Sequence, residues 1–392
     1  MPAKNYAYVN KDMLMWARSE TPFATTADAA AYISGISADK LDAWESGAEL
    51  PSITEAKKIA AAYKVPFACF YLSTPPEKKI KKYTDRRTMN GTVYCEASYE
   101  LWSEINRITA IRDELLEYAS EEDFGSFPLP TFEADIAVAE VGRTLREFLN
   151  LKLPFKNKSI YGNAFNYFRS IFEHRGILVA QVAGVALSEM KGLSIYCEPC
   201  SIVAVNNKDY ERAKVFSLFH ELAHLVRRSS SLCLIDFDER NDEEEKLCDK
   251  IAAEILLPED AFKQVAKSIW PSYREWSSLC LQAIGDKFGV SSVVILRRLY
   301  ELKMLPYKDY QQIYSALNEE FEANRELIER ARKGKELPIK YYIRYLNKQG
   351  YLFPRIIVEA HAKGAISYGE MCKTLNVGRK HIGSIEQAVM FT

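Results

Sequence analysis

The chain has 392 residues, 52 of them Lys or Arg and 53 Asp or Glu, for a formal net charge of -1. That length predicts two or three domains, each with its own core, and the charge balance excludes a global bias towards nucleic acid or membrane. Any such contact has to come from a local patch.

The start, Met1-Pro2-Ala3-Lys4-Asn5-Tyr6, lacks the charged-then-apolar design of a signal peptide, and no stretch approaches the length of a membrane span. A cytoplasmic protein with no membrane partner is expected. Six of the eight cysteines, Cys69, Cys95, Cys233, Cys248, Cys280 and Cys372, are scattered among helical patterns, as reduced and mostly buried thiols would be. Cys197-Glu198-Pro199-Cys200 is a C-x-x-C, but it lies between two β-rich runs and has no second such pair, so it reads as a hairpin turn.

Residues Met13 to Tyr71 predict five short helices. Their apolar faces are Leu14 and Ala17; Ala29, Ala30 and Ile33; Leu41 and Trp44; Ile53, Ala56, Ile59 and Ala60; and Phe67, Phe70 and Tyr71. Ser37 is placed as an N-cap, and Ser52 with Glu55 as a capping box for the fourth helix. The stretch from Ile33 to Pro51, with Trp44-Glu45-Ser46-Gly47 and the proline after it, resembles the Xre/Cro-type DNA-binding domain. The resemblance implies a five-helix helix-turn-helix domain over residues 1–74, with double-stranded DNA as a partner. Its recognition helix, however, carries Asp39, Asp42 and Glu45 against Lys40 alone, whereas phosphate neutralisation supplies most non-specific DNA affinity. Two uses stay open: an acceptor for cytosine, or a protein-docking or dimerisation surface that would make a homodimer.

Residues 75–131 read as a basic linker, Thr74 to Arg87, followed by one long amphipathic helix from Tyr99 to Tyr118. Ile136 to Leu149 and Ile160 to His174 are helical by pattern. Gly176 to Val182, Leu193 to Tyr196 and Ile202 to Val205 read as strands, with Ile202 to Val205 as the edge to which an extended substrate can add.

The helix from Val215 to Val226 contains His220-Glu221-Leu222-Ala223-His224, an H-E-x-x-H. Positions four apart share a helix face, so His220 and His224 can aim two imidazoles at one ion, while Glu221 can take a proton from a bound water. A catalytic zinc needs a third protein ligand and an open position. In the next helical pattern, Glu243 to Pro258, Glu243, Glu244, Glu245 and Glu254 compete for that role. Glu245 is preferred over Glu243 and Glu244 because Asp249 lies one turn on, placed to accept from the free N–H of a ligating histidine. Tyr210 and Arg212 are near in sequence as oxyanion donors, without a distance to support either.

These residues carry a second resemblance. Val205-Asn206, Arg212, Phe216, the H-E-L-A-H helix, and the E-x-x-x-D helix running into Ala252-Ala253-Glu254-Ile255-Leu256-Leu257-Pro258 are similar to the ImmA/IrrE family of zinc metallopeptidases fused behind an Xre-type domain. The resemblance implies a thermolysin-like (gluzincin) domain over residues 132–305, Zn2+ on His220, His224 and Glu245, and Glu221 as the catalytic residue. The asparagine the family usually carries after the third ligand is Asp249 here, which keeps an acceptor. Relatives cleave a helix-turn-helix repressor and so derepress genes, and related fusions sit in toxin–antitoxin-like pairs. The expected substrate is therefore a repressor or a neighbour-encoded partner protein. The alternative is a DNA-binding regulator or antitoxin-like partner whose zinc site is weak or silent.

Among the rest, Asp236 to Asp242 reads as a solvated acidic loop, and Phe288 to Leu299 as a turn and helix whose Arg297 and Arg298 pack behind the active site. Residues 306–392 form a helical C-terminal region. It has a charge-dense stretch from Asn318 to Lys335, an aromatic-rich unit from Tyr341 to Ile357, and a turn-linked helix pair from Ile366 to Ile382. His361 and His381 stand alone as surface or capping residues. The expected fold class is mainly α with a small β-sheet (α+β).

Overall fold

Short oxygen-bearing side chains set where the first helices begin. The computed structural model describes residues 5–76, 98–124, 128–132, 136–153, 164–228, 231–233, 243–332 and 339–390, and the chain forms two compact units, Met1–Ile108 and Thr109–Thr392. In the first, α1 (Lys11–Ser19) is capped by Asn10, whose side chain accepts from the Asp12 N–H, and α2 (Thr26–Tyr32) opens with a Thr25/Asp28 capping box. α3 (Ala38–Ser46) ends at Gly47, which takes the left-handed conformation, and α4 (Ile53–Ala62) opens with the expected Ser52/Glu55 box. Ser37 is the N-cap of α3, as expected, although its side chain makes no capping hydrogen bond. One expectation is corrected: the fifth helix is a single 3-10 stretch, Phe67–Tyr71. The core joins Leu14, Phe23, Ile33, Leu41, Trp44, Ile59, Tyr63 and Phe70.

The charge of α3 is also not what its sequence suggests. Glu45 is buried and grips Arg18 of α1 through two oxygens (2.9 Å each), so it belongs to the core. Asp42 accepts from the Thr26 hydroxyl (2.8 Å), and Lys40 pairs with Glu55 (3.0 Å). The basic run beyond Pro76, the loop from Asp236 to Asp242 and residues 154–163 at the start of the expected 160–174 helix lie outside the described residues.

The boundary between the units falls within α5 (Tyr99–Tyr118). The second unit continues with α6 (Val138–Phe148), α7 (Ala164–Glu173), β1 (Leu178–Val182), β2 (Gly192–Ile195), β3 (Ile202–Asn206), α8 (Glu211–Val226), β4 (Ser231–Cys233) and α9 (Glu243–Leu256). Eight further helices follow: α10 (Glu259–Tyr273), α11 (Ser278–Phe288), α12 (Ser292–Glu301), α13 (Tyr307–Arg332), α14 (Tyr341–Gln349), α15 (Leu352–Ala362), α16 (Tyr368–Thr374) and α17 (Arg379–Met390). The fold is α+β. Among the described residues no single helix is long and apolar enough to cross a membrane.

The sheet runs in the order β1-β3-β2-β4, with β1 and β3 parallel and the other pairs antiparallel. Ile202 to Val205 is therefore an interior strand and not the edge. All five residues of β3 are buried and it has a partner on each side, whereas an edge strand keeps one row of backbone groups unpaired. Cys233 sits in β4 and not in a helix. The C-x-x-C does form the β2–β3 hairpin turn, with both thiols buried.

The C-terminal helices lie against β1. Arg169, fully buried, donates to the Leu346 and Asn347 carbonyls (3.0 and 2.8 Å) at the end of α14, and Gln181 of β1 donates to the Asn347 carbonyl (3.0 Å). Glu173, 3.5 Å from Arg169, accepts the Tyr351 N–H at 3.0 Å. Between them Gly350 has φ 85°, and a Cβ there would stand 2.6 Å from the Val179 carbonyl oxygen. No other residue fits. Gly350→Ala is expected to cost about 1–3 kcal/mol in urea unfolding, and an unchanged midpoint would mean that the α14–β1 contact is loose.

Candidate metal centre

Helix α8 is apolar on every side: from Lys214 to Val226 each residue is buried, so the helix runs through the middle of its unit. A polar side chain on it must find a partner or cost several kcal/mol, by order of magnitude about 2–7. His220, Glu221 and His224 are the polar groups of its second half, and all three are buried. α9 packs against α8, burying Cys248, Ile251, Ala252 and Ile255. Its period places Glu245 and Asp249 one above the other on the facing side.

The structure brings the two imidazoles and Glu245 together. His220 Nε2 lies 3.2 Å from Glu245 Oε2, His224 Nε2 lies 3.2 Å from Glu245 Oε1, and the two Nε2 atoms are 3.2 Å apart. Donors at about 2.0–2.1 Å from a tetrahedral ion stand about 3.3 Å from one another, so these three fit three corners of such a shell. Among the described residues this cluster has three members.

The rival carboxylates are engaged elsewhere. Glu244 is held by both arms of Arg227, Glu254 pairs with Arg298, and Glu243 is exposed. A second cluster, His224, Glu244 and Cys248, shares one histidine and borrows that Arg227-bound carboxylate, which makes it the poorer ion site.

Asp249 accepts the His220 Nδ1–H at 2.8 Å, which assigns the ring proton to Nδ1 and leaves Nε2 for the ion. Its other oxygen accepts from Arg297 (3.0 Å), and Arg297 is in turn held by Glu301 (3.1 Å). Arg297 and Arg298 thus stand behind the site. His224 has a softer neighbour, with Nδ1 3.6 Å from the Cys248 sulfur. Burial disfavours a charged His220, but hydrogen bonds to Asp249 and Glu245 outweigh it and push its pKa up to about 9. Burial works against an ionised Glu245 as well, yet the two histidines hold its carboxyl well below the usual range.

Two residues support the site without belonging to the cluster itself: Gly192, which no sequence pattern marks, and Asn206, which the resemblance included without a role. Gly192 opens β2 where a Cβ would stand 2.2 Å from Glu221 Oε1, so strand and carboxylate share one space only because the side chain is absent. Asn206, fully buried, donates to the Met190 carbonyl (2.8 Å) and accepts from the Lys208 N–H (3.0 Å), fixing the loop that delivers Gly192. Of the residues considered as oxyanion donors, Arg212 is ion-paired with Asp286, and the Tyr210 ring stands edge-on to Phe321 (4.2 Å).

Residues 184–300 match the IrrE N-terminal-like domain of a peptidase family. The match spans His220, Glu221, His224, Glu245, Asp249 and Arg297, and it points to a metallopeptidase-type domain of the ImmA/IrrE kind. No curated protein matches the chain.

Placing a methyl group at residue 192 within this peptidase-like domain should displace the Glu221 carboxylate. Gly192→Ala is expected to cost about 1–3 kcal/mol in denaturant unfolding. In a Glu221→Ala background most of that cost should vanish, a coupling of at least about 1 kcal/mol. Equal costs in both backgrounds would show that the two residues do not compete for space.

Proposed function

We propose that this chain is a zinc-dependent intracellular endopeptidase that cleaves one specific protein partner, a helix-turn-helix repressor or a neighbour-encoded protein, and thereby regulates transcription. The observation that carries the reading is the triangle of His220, His224 and Glu245 donors, 3.2 Å on each side. Two histidines and one carboxylate form a donor set typical of catalytic zinc, in which three protein ligands leave a position for solvent or substrate.

When bound, zinc would supply Lewis acidity towards a peptide carbonyl and lower the pKa of solvent in its open position. The chain's own part falls to Glu221. Its carboxylate takes a proton from the attacking water as the new C–O bond forms, then returns it to the nitrogen as the C–N bond breaks. Glu221 is buried beside Gly192, which fixes where its carboxylate can stand. Asp249, anchored by Arg297, keeps His220 in the tautomer that presents Nε2. The β2–β4 side of the sheet lies next to Glu221 through Gly192, which suits it to hold an extended substrate segment.

Glu221→Gln should retain zinc and lose cleavage of a co-expressed neighbour-encoded repressor by a factor of about 10²–10⁴. Undiminished cleavage would remove Glu221 from the chemistry. Zinc uptake should depend on pH in a defined direction. With the His220 pKa at about 9 in the metal-free protein, binding at lower pH must displace a proton. Apparent affinity in a chelator competition should therefore rise about tenfold per unit between pH of about 6 and about 8, and a flat profile would contradict the assignment of His220.

A further inference from the structure

Neither the metal centre nor the closure of β1 uses the last two helices. α16 has seven residues and opens with a Ser367/Glu370 capping box, and α17 has 12. Four residues join them, Leu375, Asn376, Val377 and Gly378, and the chain reverses through Asn376 at φ 52°, a conformation that asparagine tolerates better than most residues. Met371, Leu375, Val377, Ile382, Ile385 and Val389 are buried, and both helices pack on α15. The start of α17 is held by the His381 ring stacked on Tyr341 at 4.2 Å. A short capped helix, a tight turn and a longer second helix on a third supporting helix are the parts of a helix-turn-helix.

With Ile382, Ile385 and Val389 inward, the helical period turns Lys380, Gly383, Ser384 and Gln387 outward, with Arg379 at their margin, and all five are exposed. None of these five is a carboxylate, and Glu386, two turns beyond Arg379 on the margin of that face, is half-buried. The space before the helix is open, since a Cβ on Gly383 would meet nothing within 4 Å. Arg379 and Lys380 suit phosphates, Ser384 and Gln387 suit base edges, and Gly383 permits close approach. α3 offers the opposite: Asp39 and Asp42 are exposed and Lys40 is taken by Glu55.

We propose that α16 and α17 form a DNA-binding helix-turn-helix that sets α17 into the major groove of double-stranded DNA. This goes beyond the peptidase reading and does not depend on it.

The test titrates the full-length protein against a fluorescein-labelled random-sequence duplex of about 30 base pairs, followed by anisotropy between about 50 and about 200 mM KCl. The wild type should bind. Arg379→Ala combined with Lys380→Ala should weaken binding about tenfold and lower the salt slope by about 2, one unit for each lost phosphate contact. Ser384→Glu, an exposed change that leaves both cations in place, should also weaken binding, whereas Lys40→Ala in α3 should not. Thermal melting of every variant should match the wild type. No binding at the lowest salt, wild-type binding by both α17 variants, or an equal loss in Lys40→Ala would overturn the proposal, the last by assigning DNA to the N-terminal unit.

Discussion

Two imidazole nitrogens and a carboxylate, each 3.2 Å from the next, are held inside a protein core that would otherwise expel them. Burying such groups is costly unless each has a partner, and here the partners are one another. Against its burial, hydrogen bonds to Asp249 and then Glu245 raise the His220 pKa, and against its own the two histidines hold the Glu245 carboxyl down, so these groups form one network. The packing of α9 on α8 is what holds those three donors together.

The surroundings follow from that constraint. Asp249 has to accept from His220 Nδ1, so it needs its own counter-charge, and Arg297 comes from α12, 48 residues along the chain, to supply it. Glu221 lies in the core beside the two imidazoles, so the strand passing over it begins with glycine. That strand is placed by a loop hung on Asn206, the last residue of β3. On the far side of the sheet the C-terminal helices cover β1 through Arg169, Glu173 and Gly350.

Local features of this architecture were legible in the residues. The capping box at Ser52 starts its helix, the stretch from Ile366 to Ile382 is a turn-linked helix pair, and the C-x-x-C is a hairpin turn. The rule that set Glu245 above its acidic neighbours, a second carboxylate one turn later, singles out the side chain found between the two imidazoles. Long-range facts were not legible. Sequence alternation does not report which strands pair, so β3 reads as an edge when it is interior, and three-residue β4 is too short to carry a pattern. Glu45 reads as surface charge because its partner Arg18 sits 27 residues earlier. The place of Gly192 is visible only once Glu221 is known to lie beneath it.

The most direct test of the metal centre is X-ray absorption on the zinc-loaded protein. A four-coordinate shell of nitrogen and oxygen donors at about 2.0–2.1 Å is expected, two of them imidazole, with one position that exchanges when a small anion is added. A sulfur at about 2.3 Å, which would bring Cys248 into the shell, or a fourth protein donor that no anion displaces, would contradict it.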